Sequence, residues 1–310
     1  MLKTGPAAGI FWMCMATLIS SISGGLVREL AGQIPIFELV FFRNLIALIV
    51  LIPIVMRQGV GLPDRSQFPL YGLRVFFAFT AMVFLFYALA RMPIADVYAL
   101  QYTIPLFTIL LAVVVLKQKA DMHSWVACFV GFVGTLIVMR PGIIEITLAA
   151  LGALAAAFLS AGSNTTIKLL AKKNGAEAIT LWTNFGMLPL ALIPTIFVWV
   201  TPTAEQWPLV IGVGVISSIG GYCFTRAVSA ADARIVQPFQ FSRMIFATAI
   251  GWIMFSELPD VWTWVGAAVI FGASYYIVYR EGKARKALAA QNAAQNAARN
   301  AEQETAEKPV

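Results

Sequence analysis

Residues 95–116, ADVYALQYTIPLFTILLAVVVL, and residues 234–255, RIVQPFQFSRMIFATAIGWIMF, decide how this chain is read. Each is long enough to cross the roughly 30 Å of bilayer hydrocarbon, which takes about 17–25 predominantly apolar residues in a helix. Each also carries a polar and aromatic stripe: Tyr98, Gln101, Tyr102 and Pro105 in the first, Gln237, Gln240, Phe241, Arg243 and Met244 in the second. Positions i, i+3 and i+4 share one helix face, so two apolar helices with matching polar faces are expected. An offset of 139 residues lays Tyr98 on Gln237, Gln101 on Gln240, Tyr102 on Phe241 and Pro105 on Met244. The same offset lays Ile104 on Arg243, so only the second stripe brings a charge.

The rest of the chain has the same character. It is 310 residues long, 60% hydrophobic and only 12% charged, with a mean hydropathy of +0.81. Soluble domains carry about 25% charged residues, so this composition belongs in a lipid bilayer. Ten apolar stretches can be marked, near 7–27, 35–56, 70–90, 94–116, 122–139, 148–170, 178–200, 209–229, 235–256 and 261–279. The connections between them are short, so sequential helices should pack as antiparallel neighbours. The first stretch has the look of a secretory signal, but the polar continuation through Arg28 and Glu29 favours a retained first helix over cleavage.

The formal charge of +7 does not point to nucleic acid, because the Lys and Arg residues flank apolar spans and fill the tail. With a cytoplasmic N-terminus, the inner side holds Lys3, Arg57, Arg65, Lys117, Lys119, Lys172, Lys173, Arg234, Arg280, Lys283, Arg285 and Lys286. The outer turns hold Arg28, Arg91 and Arg140. Both termini are therefore expected in the cytoplasm. Residues 281–310 form a polar cytoplasmic tail with no apolar stripe to bury, expected to be disordered. Cys14, Cys128 and Cys223 stand apart in apolar runs and read as packing residues rather than a disulfide or metal framework.

The 139-residue offset extends beyond the stripes. It aligns Ala88 with Ala227, Phe107 with Phe246, Asp121 with Asp260, Trp125-Val126 with Trp264-Val265 and Phe132 with Phe271. An offset of 140 aligns Ser20 with Ser160, Arg28 with Lys168 and Asn44 with Asn184. Two halves of five helices each, residues 1–141 and 142–280, would enter the membrane from opposite sides. The fold class expected is thus an all-α integral membrane protein of ten transmembrane helices in two inverted five-helix repeats, a plan suited to alternating access.

The junctions Tyr87-Ala-Leu-Ala-Arg-Met-Pro-Ile-Ala-Asp, Pro105-Leu-Phe-Thr and Leu116-Lys-Gln-Lys, with Phe224-Thr-Arg-Ala-Val, Met244-Ile-Phe-Ala and Phe255-Ser-Glu-Leu in the second half, carry a family resemblance. The chain resembles the drug/metabolite transporter superfamily, in particular its EamA-type ten-helix members, over roughly residues 7–280. Where that family has a proline in the fourth and ninth helices and a glutamate after each, this chain keeps Pro105 and Glu257 but has Met244 and Gln118. The resemblance implies a secondary transporter in the bacterial inner membrane, handling amino acids, aromatic metabolites, S-adenosylmethionine or riboflavin, by uptake or efflux.

Candidate substrate-binding residues follow from the stripes. A charge at mid-helix costs about 2.5 kcal/mol or more unless it meets a polar cavity or a partner. Arg243, with Gln237 and Gln240, would offer an anionic group a guanidinium and two amides. Tyr98, Gln101 and Tyr102 would form the opposite wall, with Phe241 beside them, suiting a planar or zwitterionic solute. Ser160, Asn164 and Lys168 make a further polar line, in which Asn164 is a lining candidate. Glu38 and Asp96 are candidate coupling carboxylates, each with a structural reading beside it: a neutralised arginine for Glu38, end-of-helix solvation for Asp96. Pro105 is the candidate hinge. Arg43, Arg74 and Arg226 read as structural or snorkelling side chains.

An intramembrane enzyme is disfavoured: the single histidine, His123, is expected in a loop, and there is no HExxH, GxSxG or phosphate-binding loop. No metal site or cofactor is implied. A channel or receptor would call for rings of like charge or a sensing domain. The expected partners are a small-molecule substrate and the lipid bilayer, with a homodimer left open. The preferred substrate is a planar metabolite of the S-adenosylmethionine or riboflavin kind taken up by the cell, with an amino-acid or drug exporter as the alternative.

Overall fold

The computed structural model describes residues 5–58, 63–114, 122–140, 147–170, 173–174, 176–230, 236–276, 279–280 and 283. The expected tail, and the Gln118 position that departs from the family pattern, lie outside these residues. The described residues are almost wholly helical and contain no strand. In chain order the helices are α1 (Pro6–Leu30), α2 (Ile36–Gln58), α3 (Phe68–Leu89), α4 (Ile94–Gln101), α5 (Ile104–Val114) and α6 (Met122–Met139). There follow α7 (Leu148–Leu170), α8 (Ala176–Val198), α9 (Trp207–Ala230), a tight three-residue-per-turn stretch (Gln237–Phe241), α10 (Ser242–Phe255) and α11 (261–276). His123 stands in the first turn of α6 rather than in a loop.

Among the described residues, six helical segments have the length and hydropathy to cross a membrane, and two shorter apolar helices, Trp125–Met139 and Phe239–Phe255, accompany them. The outer surface is apolar: Phe129, Phe197 and Ile253 are 69%, 83% and 76% exposed. Such a surface has a hydrophobic environment only in lipid, and helices suit it because they satisfy their own backbone groups. Trp125, Trp199, Trp252 and Trp262 are also exposed, the side chains that favour the border between hydrocarbon and headgroups.

Inside, the helices pair reciprocally. α1 lies along α9 as α3 lies along α7; α10 packs on α1 as α4 and α5 pack on α7; α2 packs on α9 as α8 packs on α3. Two pairs join like with like, α2 with α8 and α4 with α10. A further crossing, α6 over α11, is close enough to need glycine. A Cβ on Gly266 would fall 2.7 Å from the Gly134 carbonyl oxygen, well inside van der Waals contact. Small residues at such crossings let backbones approach in a medium that supplies no hydrophobic drive between helices.

One end of the bundle is laced by polar ties. Arg28, in the last turn of α1, pairs with Glu257 and donates to the Met92 carbonyl, while its guanidinium lies 5.0 Å from the centre of the Phe255 ring. Arg140, just after α6, pairs with Asp260 at 2.5 Å. Gln206 Nε2 donates to Gln33 Oε1 at 2.9 Å, and the Val200 N–H donates to Glu38 Oε2 at 3.0 Å. At the other end, the Gly5 N–H meets the Ala230 carbonyl and Asn174 donates to Gln67. The residues expected in the outer turns, Arg28 and Arg140, thus share one end of the bundle.

Candidate functional site

The two stripes that define the sequence do meet, but not as two straight helix faces. The first crossing breaks between α4 and α5. Pro105 has no N–H to return to the Gln101 carbonyl, and the chain turns through Tyr102 and Thr103, whose N–H groups reach back only three residues, to Ala99 and Leu100. The Tyr102 carbonyl in the break accepts a 2.7 Å hydrogen bond from Ser274 of α11. The second crossing, expected as one α-helix, opens instead with the tight turn Gln237–Phe241, in which Pro238 occupies the first turn. At three residues per turn the side chains of i and i+3 eclipse, so the regular α-face expected from Gln237 to Met244 does not persist. Arg243 consequently falls in the first turn of α10, and Met244 is fully buried.

This divides the expected site in two. Tyr102, Gln101 and Phe241 form a packed junction. Tyr102 stacks on Phe241, its positional counterpart, with ring centres 5.7 Å apart, and both rings contact Phe271. The Tyr102 hydroxyl donates to the carbonyls of Gln240 and Phe241 at 3.2 and 3.4 Å, and Gln101 Nε2 donates to the Ala153 carbonyl at 2.9 Å. These side chains are occupied in holding helices together. Gln240 is half-buried beside them, and the Gln237 side chain lies outside the described residues.

Tyr98, Asn164 and Arg243 instead line a cavity of about 460 Å³. Helices from both parts of the chain wall it: α1, α2, α3 and α4 on one side, α7, α9 and α10 on the other. The Arg243 guanidinium sits 5.3 Å from the centre of the Tyr98 ring, and its backbone carbonyl accepts from Ser21 at 3.2 Å. Tyr98 reaches this position because residue 24 is glycine. A Cβ there would lie 2.5 Å from the tyrosine oxygen, which donates to the Ser20 carbonyl at 3.0 Å.

Two residues that the sequence reading assigned to structure join Arg243 here. Arg43 of α2 and Arg74 of α3 border the same cavity, and its described lining includes no aspartate or glutamate. Among the described residues, Arg43 donates to Asn44 Oδ1 at 3.4 Å and to the Met82 sulfur at 3.3 Å. The Nε atoms of Arg74 and Arg243 are buried without a hydrogen-bond partner. An arginine in a membrane helix costs about 2.5–3.5 kcal/mol on insertion scales, so three bordering one cavity are accounted for by a polar space rather than by lipid. The signal was a charge seven residues into α3 and eight into α2, which positive-inside placement and local pairing explained too readily.

Neither candidate coupling carboxylate lines the cavity. Glu38 is fully buried at the laced end, where Oε2 accepts from Val200 and Oε1 has no partner. Asp96 lies near Thr263, Arg140, Glu257 and Asp260, with Oδ1 buried and unpaired. Among the described residues there is no cluster of His, Cys, Asp and Glu fit to hold a metal ion. A second concavity, between Met122, Val126 and Val130 of α6 and Tyr276 of α11, is an apolar groove in the lipid-facing surface.

An all-helical bundle with a lipid-facing exterior and a polar cavity walled by both of its parts defines a membrane transport protein. The chain belongs to the EamA-like transporter family, whose sequence model matches residues 7–140 and again 147–279. It is 32% identical to a riboflavin transporter of Brucella anthropi over 82% of this chain and 92% of that protein. A riboflavin transporter of Vibrio cholerae is 29% identical over 91% and 96%, and an S-adenosylmethionine uptake transporter of Rickettsia prowazekii 27% over 89% and 94%. A solved crystal structure shares the fold with a TM-score of 0.60 at 18% identity, covering 86% of this chain and 95% of that one.

Proposed function

We propose that this protein takes up a small planar organic metabolite of the riboflavin kind by alternating access. The observation that carries the reading is the cavity holding Tyr98, Asn164 and Arg243, walled by both segments that the family model matches. The working unit is a ten-helix bundle of two inverted five-helix repeats, residues 1–141 and 142–280. In support, the helix contacts are reciprocal between the halves, and like pairs with like at α2–α8 and α4–α10. Exchanging the conformations of two such halves would expose one site to either side in turn. In this scheme the ties from Arg28 to Glu257 and from Arg140 to Asp260 close the outer end, each joining the first half to the second.

S-adenosylmethionine is the second reading, favoured by the relatives that carry it; export of an amino acid or drug by the same fold is the competing direction. Reconstituted liposomes given riboflavin, S-adenosylmethionine and amino acids under imposed pH gradient and membrane potential test all three. Saturable riboflavin entry is expected, and amino-acid flux with neither metabolite transported would overturn the uptake reading. Proton coupling would run through Glu38 or Asp96, since each keeps a buried oxygen with room in its bonding for a proton. A pH-driven rate lost in Glu38→Gln or in Asp96→Asn identifies the carrier, and a rate indifferent to the gradient in the unmodified protein removes both from the scheme.

A further inference from the structure

We infer that the cavity selects a solute bearing negative charge, a phosphate ester or carboxylate on a planar body, through Arg43, Arg74 and Arg243 acting together. The inference deepens the transport reading and rests on it for the solute's passage, but not for its binding. Three guanidiniums from three helices, α2, α3 and α10, border one space whose described lining holds no acidic side chain. They are not spent on one another's neighbours. Among the described residues the ion pairs are Arg28 with Glu257 and Arg140 with Asp260, both away from the cavity. Arg43 has an amide oxygen and a thioether for company, and Arg74 and Arg243 each keep a buried Nε with no acceptor.

The described lining of this cavity supplies cationic donors and no anionic acceptor. Guanidinium donors in a low-dielectric setting are matched best by anionic oxygens, which accept charge-assisted bonds from several directions and neutralise the charge. Tyr98 supplies the flat surface beside them, already backed by Arg243 at 5.3 Å. Ser163 Oγ, also buried and without a hydrogen-bond partner, and Asn164 border the same space and suit a hydroxylated or amide-bearing part of the ligand. The same field repels a net cation. S-adenosylmethionine, with a sulfonium, an ammonium and one carboxylate, is therefore the poorer fit of the two metabolite classes.

Riboflavin and its phosphate monoester isolate the charge, because they differ in that group alone; phthalate gives the carboxylate on a flat ring. Binding to the purified, monodisperse full-length chain in neutral detergent is measured by ligand fluorescence or calorimetry, and flux is measured in liposomes. Tighter binding of the phosphate ester than of riboflavin is expected. Arg43→Gln, Arg74→Gln and Arg243→Gln should each weaken the ester on the order of tenfold to a hundredfold and shrink its preference over riboflavin. Arg→Lys at the same positions should restore part of the preference, separating lost charge from lost fold. Equal or weaker binding of the ester overturns the inference, as does a preference that survives all three glutamine variants. Tight binding of the anions without flux of any tested solute sinks the transport reading and leaves the anion site standing. Displacement of the ester by phosphatidylglycerol but not by phthalate would assign the arginines to a lipid headgroup and overturn the solute assignment.

Discussion

At the scale of single residues, the protein uses backbone irregularity to aim side chains. Ser256 ends α10 with φ of 55°, the left-handed region that suits glycine, and the following N–H of Glu257 returns to Gly251 at 3.1 Å. That turn points Glu257 at Arg28. Replacing Ser256 by glycine should leave stability unchanged or raise it by up to about 1 kcal/mol, whereas Ser256→Val should cost about 1–2 kcal/mol. Unfolding in detergent, followed by scanning fluorimetry, reads both. Ser274 has a comparable duty, since its hydroxyl satisfies the Tyr102 carbonyl exposed by the break near Pro105. Ser274→Ala should therefore cost about 1–3 kcal/mol by the same assay, the penalty of an orphaned buried acceptor. Pro105 was legible as an interruption in the sequence. The rescue of the broken backbone by a residue 172 positions away was not.

At the scale of elements, the laced end is a set of bonds between helix termini rather than within helices. Arg140 holds the Asp260 carboxyl below its ordinary value of 3.8, its hydrogen bond being the largest cause. A depressed carboxylate contributes stability that is fully present above the unfolded value and drains away as pH falls through the lower, folded one. Acid unfolding in detergent should thus lose a component below about pH 4 in the native protein that is absent in Asp260→Asn. A midpoint with the same acid dependence in both would show that this pair does not tie α6 to the segment before α11. The sequence marked Asp260 only as the repeat partner of Asp121, and Glu257 only as a family mark. Their arginines became visible when the helix ends came together in space.

The whole molecule makes two claims on experiment, its orientation and its cavity. In a background lacking Cys14, Cys128 and Cys223, Thr203→Cys should react with a membrane-impermeant maleimide added to intact cells. Asp64→Cys should react only after the inner face is exposed. Labelling of both from one side would break the alternating order of helices on which two inverted halves depend. For the cavity, Gly24→Ala would set a methyl group 2.5 Å from the Tyr98 oxygen, so the ring must move. Riboflavin flux in liposomes should fall at least about tenfold while the variant remains folded, since small displacements at a binding site cost rate steeply.

The membrane class, the helix count expected and the family followed from composition, hydrophobic length and motif, because these depend on residues adjacent in the chain or repeated at a fixed offset. Tyr98, Asn164 and Arg243 were also legible as polar groups that an apolar helix must account for. What only the tertiary structure decided was how each polar group is used. Tyr102, Gln101 and Phe241 share the stripe's spacing with Tyr98 and Arg243, yet they close a junction: Gln101 leaves α4 toward the Ala153 carbonyl of α7, and Tyr102 and Phe241, each at a break in its crossing, stack on one another. Arg43 and Arg74, on different helices and without a shared period, come to border the same cavity as Arg243 only when α2, α3 and α10 are gathered round it. Periodicity reports a face of one straight helix, whereas charge density in a cavity depends on several helices at once and on where each of them bends.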